Sequence, residues 1–269
     1  MPRYHRTLLI NDMHCGHLLG LTPPDWHRND CTSWQIPAWH FYQSIVEQIG
    51  PVDDLIVNGD AIDGPGKKET TSHLTTDIGE QCRMAEQIIS LPKADRIHIV
   101  KGTGFHTDGD TAYEDILAGA FGLKAHDELR LEVYGRKIHV RHVVGRSDIP
   151  YGQQTQMQKE LINDILQAEF EDYQSADILL RAHDHYCFKV ETADSRRGFM
   201  RIVYIAPALQ MRGPRQSSFT RKLRTWKYDF GISLIEIDQK SREAFIRPFL
   251  MPIKHYARRE YLCLTEEQK

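Results

Sequence analysis

The stretch Leu8-Leu9-Ile10-Asn11-Asp12-Met13-His14-Cys15-Gly16 joins an apolar run of strand type to a polar turn that carries an aspartate and a histidine. Residues two apart on an extended chain point to the same face, so Asp12 and His14 can aim at one point just beyond the strand. A carboxylate and an imidazole that meet at a point suit a divalent metal ion. The pair alone is weak evidence, because D-x-H occurs by chance in many chains and Asp12 could instead cap a turn, so the metal interpretation depends on the rest of the chain.

Further strands of the chain end in the same kinds of residue. In chain order, these residues are Asp60 and Asp63 after the apolar run 55–58, His106 after 99–104, His139 and His142 within 137–143, and His183 and His185 after 178–181. In α/β sheets, ligands bind beyond the carboxyl ends of the strands. We therefore expect these side chains to share one site.

The order of these motifs resembles the calcineurin-like metallophosphoesterase superfamily, whose pattern runs D-x-H, G-D-x-x-D, G-N-H-D/E, a lone H and G-H-x-H. Residues 12–14, 59–63, 142 and 183–185 match this pattern in order and approximate spacing. Ala182 replaces the glycine of the last motif, and Gly102-Thr103-Gly104-Phe105-His106 replaces the third motif. The altered third motif, with Leu21-Thr22-Pro23-Pro24 soon after the first, resembles the branch found in phages and prophages.

The resemblance implies a site in which two divalent metal ions hydrolyse a phosphate ester through a metal-bound hydroxide. It assigns the ligands as follows: Asp60 bridges both ions, Asp12, His14 and His185 hold the first ion, and His142 and His183 hold the second. A mixed set of nitrogen and oxygen ligands suits Mn, Fe, Zn or Ni. The family's third motif supplies a ligand Asn that this chain lacks, which predicts a more weakly held second metal.

Three residues near these ligands have expected roles of their own. His106 could protonate the leaving oxygen, or it could replace the missing Asn as a ligand, and we favour the acid role. Thr103 could stand in the place of that Asn, but a neutral hydroxyl is a poor ligand, so we count it among the substrate contacts. Asp63 is expected to support catalysis by orienting a histidine. His139 and His142 face opposite sides of a regular strand, and we assign His142 to the metal because it is nearer the strand end.

Basic residues suggest where a phosphate ester would bind. Arg146 and Arg212 are candidate substrate contacts, and residues 212–227 carry six Lys or Arg, no acidic residue, and Phe219 and Trp226 between them. This composition is typical of a phosphate or nucleic-acid contact, although a solvated surface loop explains it slightly better. The resemblance implies a phosphomonoester or phosphodiester substrate, and a nucleotide and a nucleic acid both remain open. The competing hypothesis is a scaffold that binds metal without catalysis.

Composition limits the class of protein. A chain of 269 residues is long enough for one large α/β domain, which we expect to span residues 1–269. The net charge of −3 gives no sign of a general nucleic-acid binder, and no apolar run is long enough to cross a membrane. The first strand begins at once, which leaves no room for a signal peptide. Five scattered cysteines indicate a reducing, cytoplasmic setting.

Hydrophobic periodicity predicts helices at 38–49, 75–91, 112–121 and 155–170, and prolines predict a long loop over 19–35. Strands are predicted around the site motifs, at 129–134 and 137–144 as a hairpin, and at 186–190, 200–205, 230–237 and 244–249. Helices alternate with strands early, whereas the later part is rich in strands. This order predicts two packed mixed β-sheets flanked by helices, which is also the fold that the resemblance implies.

Overall fold

The opening apolar stretch lies in the middle of the first of two β-sheets. The structure is a computed structural model that describes residues 3–65, 73–104, 107–108, 111–145, 152–171, 173–211 and 228–252. Within these residues, the strands of the first sheet are, in spatial order, Ala244–Leu250 (β13), Gly231–Asp238 (β12), Tyr4–Ile10 (β1), Val52–Asn58 (β2), Ala94–Val100 (β3) and Ala125–His126 (β6). Strands β1, β2, β3 and β6 run parallel, β12 pairs antiparallel to β1, and β13 pairs antiparallel to β12.

The second sheet carries the later site motifs. Its described strands are, in spatial order, Phe188–Asp194 (β10), Phe199–Ile205 (β11), Ile178–Arg181 (β9), Arg136–Val140 (β8) and Leu129–Val133 (β7). Strands β11, β9 and β8 run parallel, and both edge strands are antiparallel to their neighbours. A short hairpin of Thr107–Asp108 (β4) and Thr111–Ala112 (β5) stands apart from both sheets.

The two sheets pack face to face, with helices on the outside. Leu9 and Ile56 from the first sheet share one core with Ile138 and Leu180 from the second. The helices are Thr32–Ile49 (α1), Ile78–Ser90 (α2) and Tyr113–Ala120 (α3), which cover the first sheet, and Gln153–Phe170 (α4), which packs on the second. None of these described helices has the length and apolar character needed to cross a membrane. The prediction of two packed mixed sheets flanked by helices is confirmed.

The start of α1 differs from the prediction. This helix begins at Thr32 rather than at residue 38, and it contains Pro37. Two contacts hold its first turn in place: Trp34 Nε1 donates to Leu18 O at 2.9 Å, and Gln35 Oε1 accepts from Arg28 N at 2.9 Å. These contacts anchor the first turn to the preceding loop, in a helix whose Pro37 lacks a backbone donor. The predicted loop over 19–35 therefore ends a few residues early, after a 3₁₀ turn at Pro24–Trp26.

Smaller differences occur at two strand boundaries of the second sheet. Strand β10 begins at Phe188 rather than at residue 186 because Cys187 N donates to Asp229 Oδ2 at 2.7 Å, outside the ladder. Strand β8 ends at Val140, so His142 lies in the following loop rather than on a regular strand. The prediction of one domain over residues 1–269 stays a prediction.

Candidate metal centre

The predicted metal ligands lie where the carboxyl ends of strands from both sheets meet. Asp12 N donates to Gly59 O at 3.1 Å, which joins the loops after β1 and β2. Ala182 N donates to His142 O at 2.9 Å, which joins the loops after β8 and β9. Between the sheets, His183 N donates to Asp12 Oδ2 at 3.2 Å. The loops of both sheets are therefore tied into one cluster.

The backbone of this cluster is unusual because most of its polar residues adopt left-handed conformations. Positive φ angles occur at five of them, namely Asp12 (49°), His14 (45°), Asp60 (46°), His183 (71°) and His185 (54°). Left-handed conformations cost L-residues roughly 1–2 kcal/mol each. Such strain persists only where the surrounding structure imposes it, and it clusters at functional sites. In this protein the left-handed residues turn the chain sharply after each strand and keep both side chains of each H-x-H or D-x-H pair at the site.

Two groups of side chains bring possible ligand atoms together. One group contains Asp12, Asp60, His142 and His183, and the other contains Asp12, His14 and His185. Within each group the ligand atoms all lie within 4.8 Å of one another. All of these side chains are buried except His183, which is partly exposed. Asp12 belongs to both groups, so the two candidate positions are adjacent.

Short distances in the cluster join imidazole nitrogens to carboxylate oxygens. His142 Nε2 lies 3.1 Å from Asp60 Oδ2, and His185 Nε2 lies 3.2 Å from Asp12 Oδ1. His142 Nε2 is 3.6 Å from Asp12 Oδ1, and His183 Nδ1 is 3.7 Å from Asp60 Oδ2. Asp12 Oδ1 and His142 Nε2 are buried and make no well-formed hydrogen bond with a described residue. Buried atoms in this situation, drawn from nitrogen and oxygen donors, fit a divalent transition metal.

Groups behind the imidazoles fix which ring nitrogen faces the cluster. His14 Nδ1 donates to Asp63 Oδ1 at 3.0 Å, and His142 Nδ1 donates to Asn58 O at 2.6 Å. His185 Nδ1 lies 3.1 Å from the hydroxyl of Tyr228, which itself donates to a backbone carbonyl and must therefore accept from the ring. In each of these three rings Nδ1 carries the proton, so the Nε2 lone pair can bind a metal ion. Metal-binding histidines are held in this way.

Opposite charges stabilise each other in the centre. Burial alone would raise the pKa of the Asp12 carboxyl, but His185 and His142 outweigh burial and hold this pKa well below its usual range. Burial alone would lower the pKa of His142, but Asp60 and Asp12 raise it to about 10. The carboxylates thus require positive charge beside them in a site closed to water. A divalent cation supplies that charge when the imidazoles are neutral.

Thr103 contacts the carboxylate of Asp60, a member of one ligand group. Its backbone N donates to Asp60 Oδ1 at 2.7 Å, and its hydroxyl lies 3.2 Å from the same oxygen. Gly102 makes this approach possible because a Cβ at that position would overlap the Asp60 carboxylate. Thr103 therefore orients Asp60, and its predicted contact with substrate stays a prediction.

The remaining predicted residues divide into three cases. Asp63 contacts His14, as expected of a group that orients a histidine. His139 lies outside both ligand groups, where its ring nitrogens face Glu128 at 3.0 Å and Asp164 at 3.4 Å. His106, Arg146 and Arg212 lie outside the described residues, so their predicted roles stay predictions.

Three residues near the centre were missed by the sequence analysis. His73 Nε2 lies 3.3 Å from Asp63 Oδ2, on the side opposite His14. Glu114 Oε1 accepts from Ala61 N at 3.2 Å, and burial, followed by the charge of Asp60, raises the pKa of Glu114 to about 7. Tyr228 is the third, through its contact with His185. None of them lies in a motif; the only sequence signal is that Tyr228 closes the basic stretch.

Comparison with known proteins gives little further information. Neither a comparison with protein families nor one with curated proteins finds a match. Among solved structures, the crystal structure of a metallophosphoesterase from Sphaerobacter thermophilus aligns with 93% of this chain and 90% of its own, at 12% identity and a TM-score of 0.39. A similarity this low supports no inference about fold or activity. The proposal below therefore rests on the residues of the candidate metal centre.

Proposed function

We propose that this protein is a metal-dependent phosphoesterase that hydrolyses a phosphomonoester or a phosphodiester at a dinuclear site. The observation that carries the proposal is the meeting of Asp12, His14, Asp60, His142, His183 and His185, from loops of both sheets, in two adjacent groups of ligand atoms. Two bound divalent ions would neutralise the phosphate, lower the pKa of water and fix the geometry of in-line attack. The motif resemblance points to the same chemistry.

The residues of the chain have distinct tasks in this proposal. Asp63 holds His14 through Nδ1, and Tyr228 holds His185 in the same way. Thr103 holds the Asp60 carboxylate, and His106 delivers a proton to the leaving oxygen. The resemblance makes Asp60 the bridging carboxylate, whereas Asp12 is the residue common to both ligand groups. The bridging role of Asp60 is thus part of the proposal and is tested below.

Metal content and hydrolysis, measured on the same preparation, test the proposal. We expect transition metal in the purified chain and, with added Mn, turnover of aryl phosphate mono- or diesters. Asp60→Asn should abolish turnover and lower metal occupancy at both positions. Asp95→Asn, at an exposed aspartate of β3, is the matched control and should change neither. Full occupancy by two ions in Asp60→Asn would show that Asp60 is not the bridge, and metal-loaded protein without turnover of any ester would refute the activity.

A scaffold that binds metal without catalysis is the second candidate. The altered third motif favours it, because this chain lacks the Asn that the resemblance makes a ligand, and Thr103 contacts the Asp60 carboxylate. The scaffold would bind one ion tightly, a second weakly or not at all, and hydrolyse nothing. If turnover is found, its salt dependence separates substrate classes: a nucleic acid responds steeply to salt, whereas a small nucleotide does not.

A further inference from the structure

The outer face of α4 carries an apolar stripe that no described residue covers. Ile162, Leu166 and Phe170 are 54%, 51% and 88% exposed and stand four residues apart, on one side of the helix. The opposite side packs Met157 and Leu161 against the second sheet. Apolar residues exposed singly are ordinary, but a continuous stripe along a helix marks an interaction surface.

Charged residues at the two ends of the stripe have opposite signs. Lys159, Ile162, Leu166 and Glu169 follow at intervals of three, four and three residues, the spacing of a helix seam that faces another helix. Lys159 and Glu169 are exposed, and neither forms an ion pair with a residue in the described part of the chain. Their charges are therefore available to a partner.

Residues 159, 162, 166 and 169 form a seam that is complementary to the same seam of a second copy running in the opposite direction. Lys159 and Glu169 lie at equal distances before and after Asp164, and so do Ile162 and Leu166. A twofold axis level with Asp164 therefore places Lys159 opposite Glu169 of a second copy, and Ile162 opposite Leu166 of that copy. Every contact then occurs twice, as in an isologous interface. Any other antiparallel register loses one of these matches.

We propose that the exposed face of α4 binds the same face of a second copy of this chain, antiparallel, about this twofold axis. The interface is one helix pair, smaller than the roughly 800 Å² per partner of a stable complex. The expected state is thus a monomer–dimer equilibrium that depends on protein concentration. The inference is independent of the proposed function, because α4 contributes no member of either ligand group.

Sedimentation velocity of the full chain, from low micromolar to near-millimolar concentration, tests the pairing. Leu166→Glu should weaken association at least about 10-fold, because the axis brings two carboxylates into the apolar seam. Ile116→Glu, at an apolar residue of α3 that is 49% exposed, is the matched control and should associate like the wild type. Far-UV circular dichroism checks that each variant is folded.

Exchange of the charges at residues 159 and 169 is the decisive test of the pairing. Exposed ion pairs change affinity by roughly 1.4- to 5-fold each, and the axis doubles them, so Lys159→Glu or Glu169→Lys alone should weaken association by about 2- to 25-fold. The double variant restores opposite charges across the axis and should associate like the wild type. A monomer at every concentration, a dimer indifferent to Leu166→Glu, or a double variant as weak as the single ones would each overturn the proposal.

Discussion

Removal of the two histidines of the last motif, one at a time, should affect different metal positions. His183 belongs only to the group of four ligand residues, and His185 only to the group of three. Structural zinc sites with four ligands bind with about 10 to 16 kcal/mol, or roughly 2.5 to 4 kcal/mol per ligand. Loss of one ligand should therefore weaken the affected position by about two to three powers of ten. His185→Ala should be the more severe change for its own position, because only two ligand residues remain there.

The number and position of bound ions are measured in both variants by metal content per chain and by anomalous scattering from crystals. The first counts the ions that remain after dialysis, and the second shows which position is empty. His27→Ala is the matched control, since Nε2 of this partly buried loop histidine lies 2.9 Å from the Thr22 carbonyl and His27 belongs to neither ligand group. If both variants lose the same ion, or if both keep two, the division into two positions is wrong.

Three further predictions concern residues around the centre and the core. His73→Ala should weaken metal binding at the position of His14 by about 10- to 100-fold in a chelator competition, because His73 Nε2 lies 3.3 Å from the carboxylate that orients His14. Unchanged affinity would make His73 a packing residue only. Asp54→Asn should lower the free energy of unfolding by about 3 kcal/mol in urea denaturation, because it removes a buried carboxylate from three basic partners. Burial would raise the pKa of Asp54, but these partners lower it in the folded state. The ionised carboxylate therefore contributes fully to the free energy of unfolding above about pH 4, and this contribution is lost as the pH falls through the lower folded-state pKa. Equal acid sensitivity of the wild type and the variant would contradict this. His106→Ala should keep its metal and slow hydrolysis by roughly 100- to 10,000-fold for esters with poor leaving groups only, whereas metal loss with equal damage to all esters would make His106 a ligand.

The layered fold and the meeting of the site residues could be predicted from local sequence patterns. Apolar runs that end in Asp or His define strands and place polar groups at their carboxyl ends, and parallel strands bring those ends together. Strand β9 was predicted at its observed bounds, Ile178–Arg181, because a short apolar run there stops abruptly at the H-x-H motif.

Features that depend on distant contacts could not be predicted. The early start of α1 is held by Trp34 and Gln35, whose partners lie in the preceding loop. The contacts of Tyr228 with His185 and of His73 with Asp63 join residues that share no motif. Left-handed backbone at aspartate and histidine has no reliable signature in sequence, because these residues adopt it only where tertiary structure requires it. The membership of Asp12 in both ligand groups depends on these same backbone turns.

The division of the ligand groups between the two sheets has a mechanical consequence. Asp12, His14 and Asp60 extend from loops of the first sheet, whereas His142, His183 and His185 extend from loops of the second. An ion bound by both sets would cross-link the two sheets at the end of the sandwich where the strands stop. Because the six side chains come together only when the layers are docked, an ion bound there would add RT ln(1 + [ion]/Kd) to the free energy of unfolding. Separation of the layers would then release the ion, and chelation would lower the stability of the whole sandwich as well as the affinity of the candidate site.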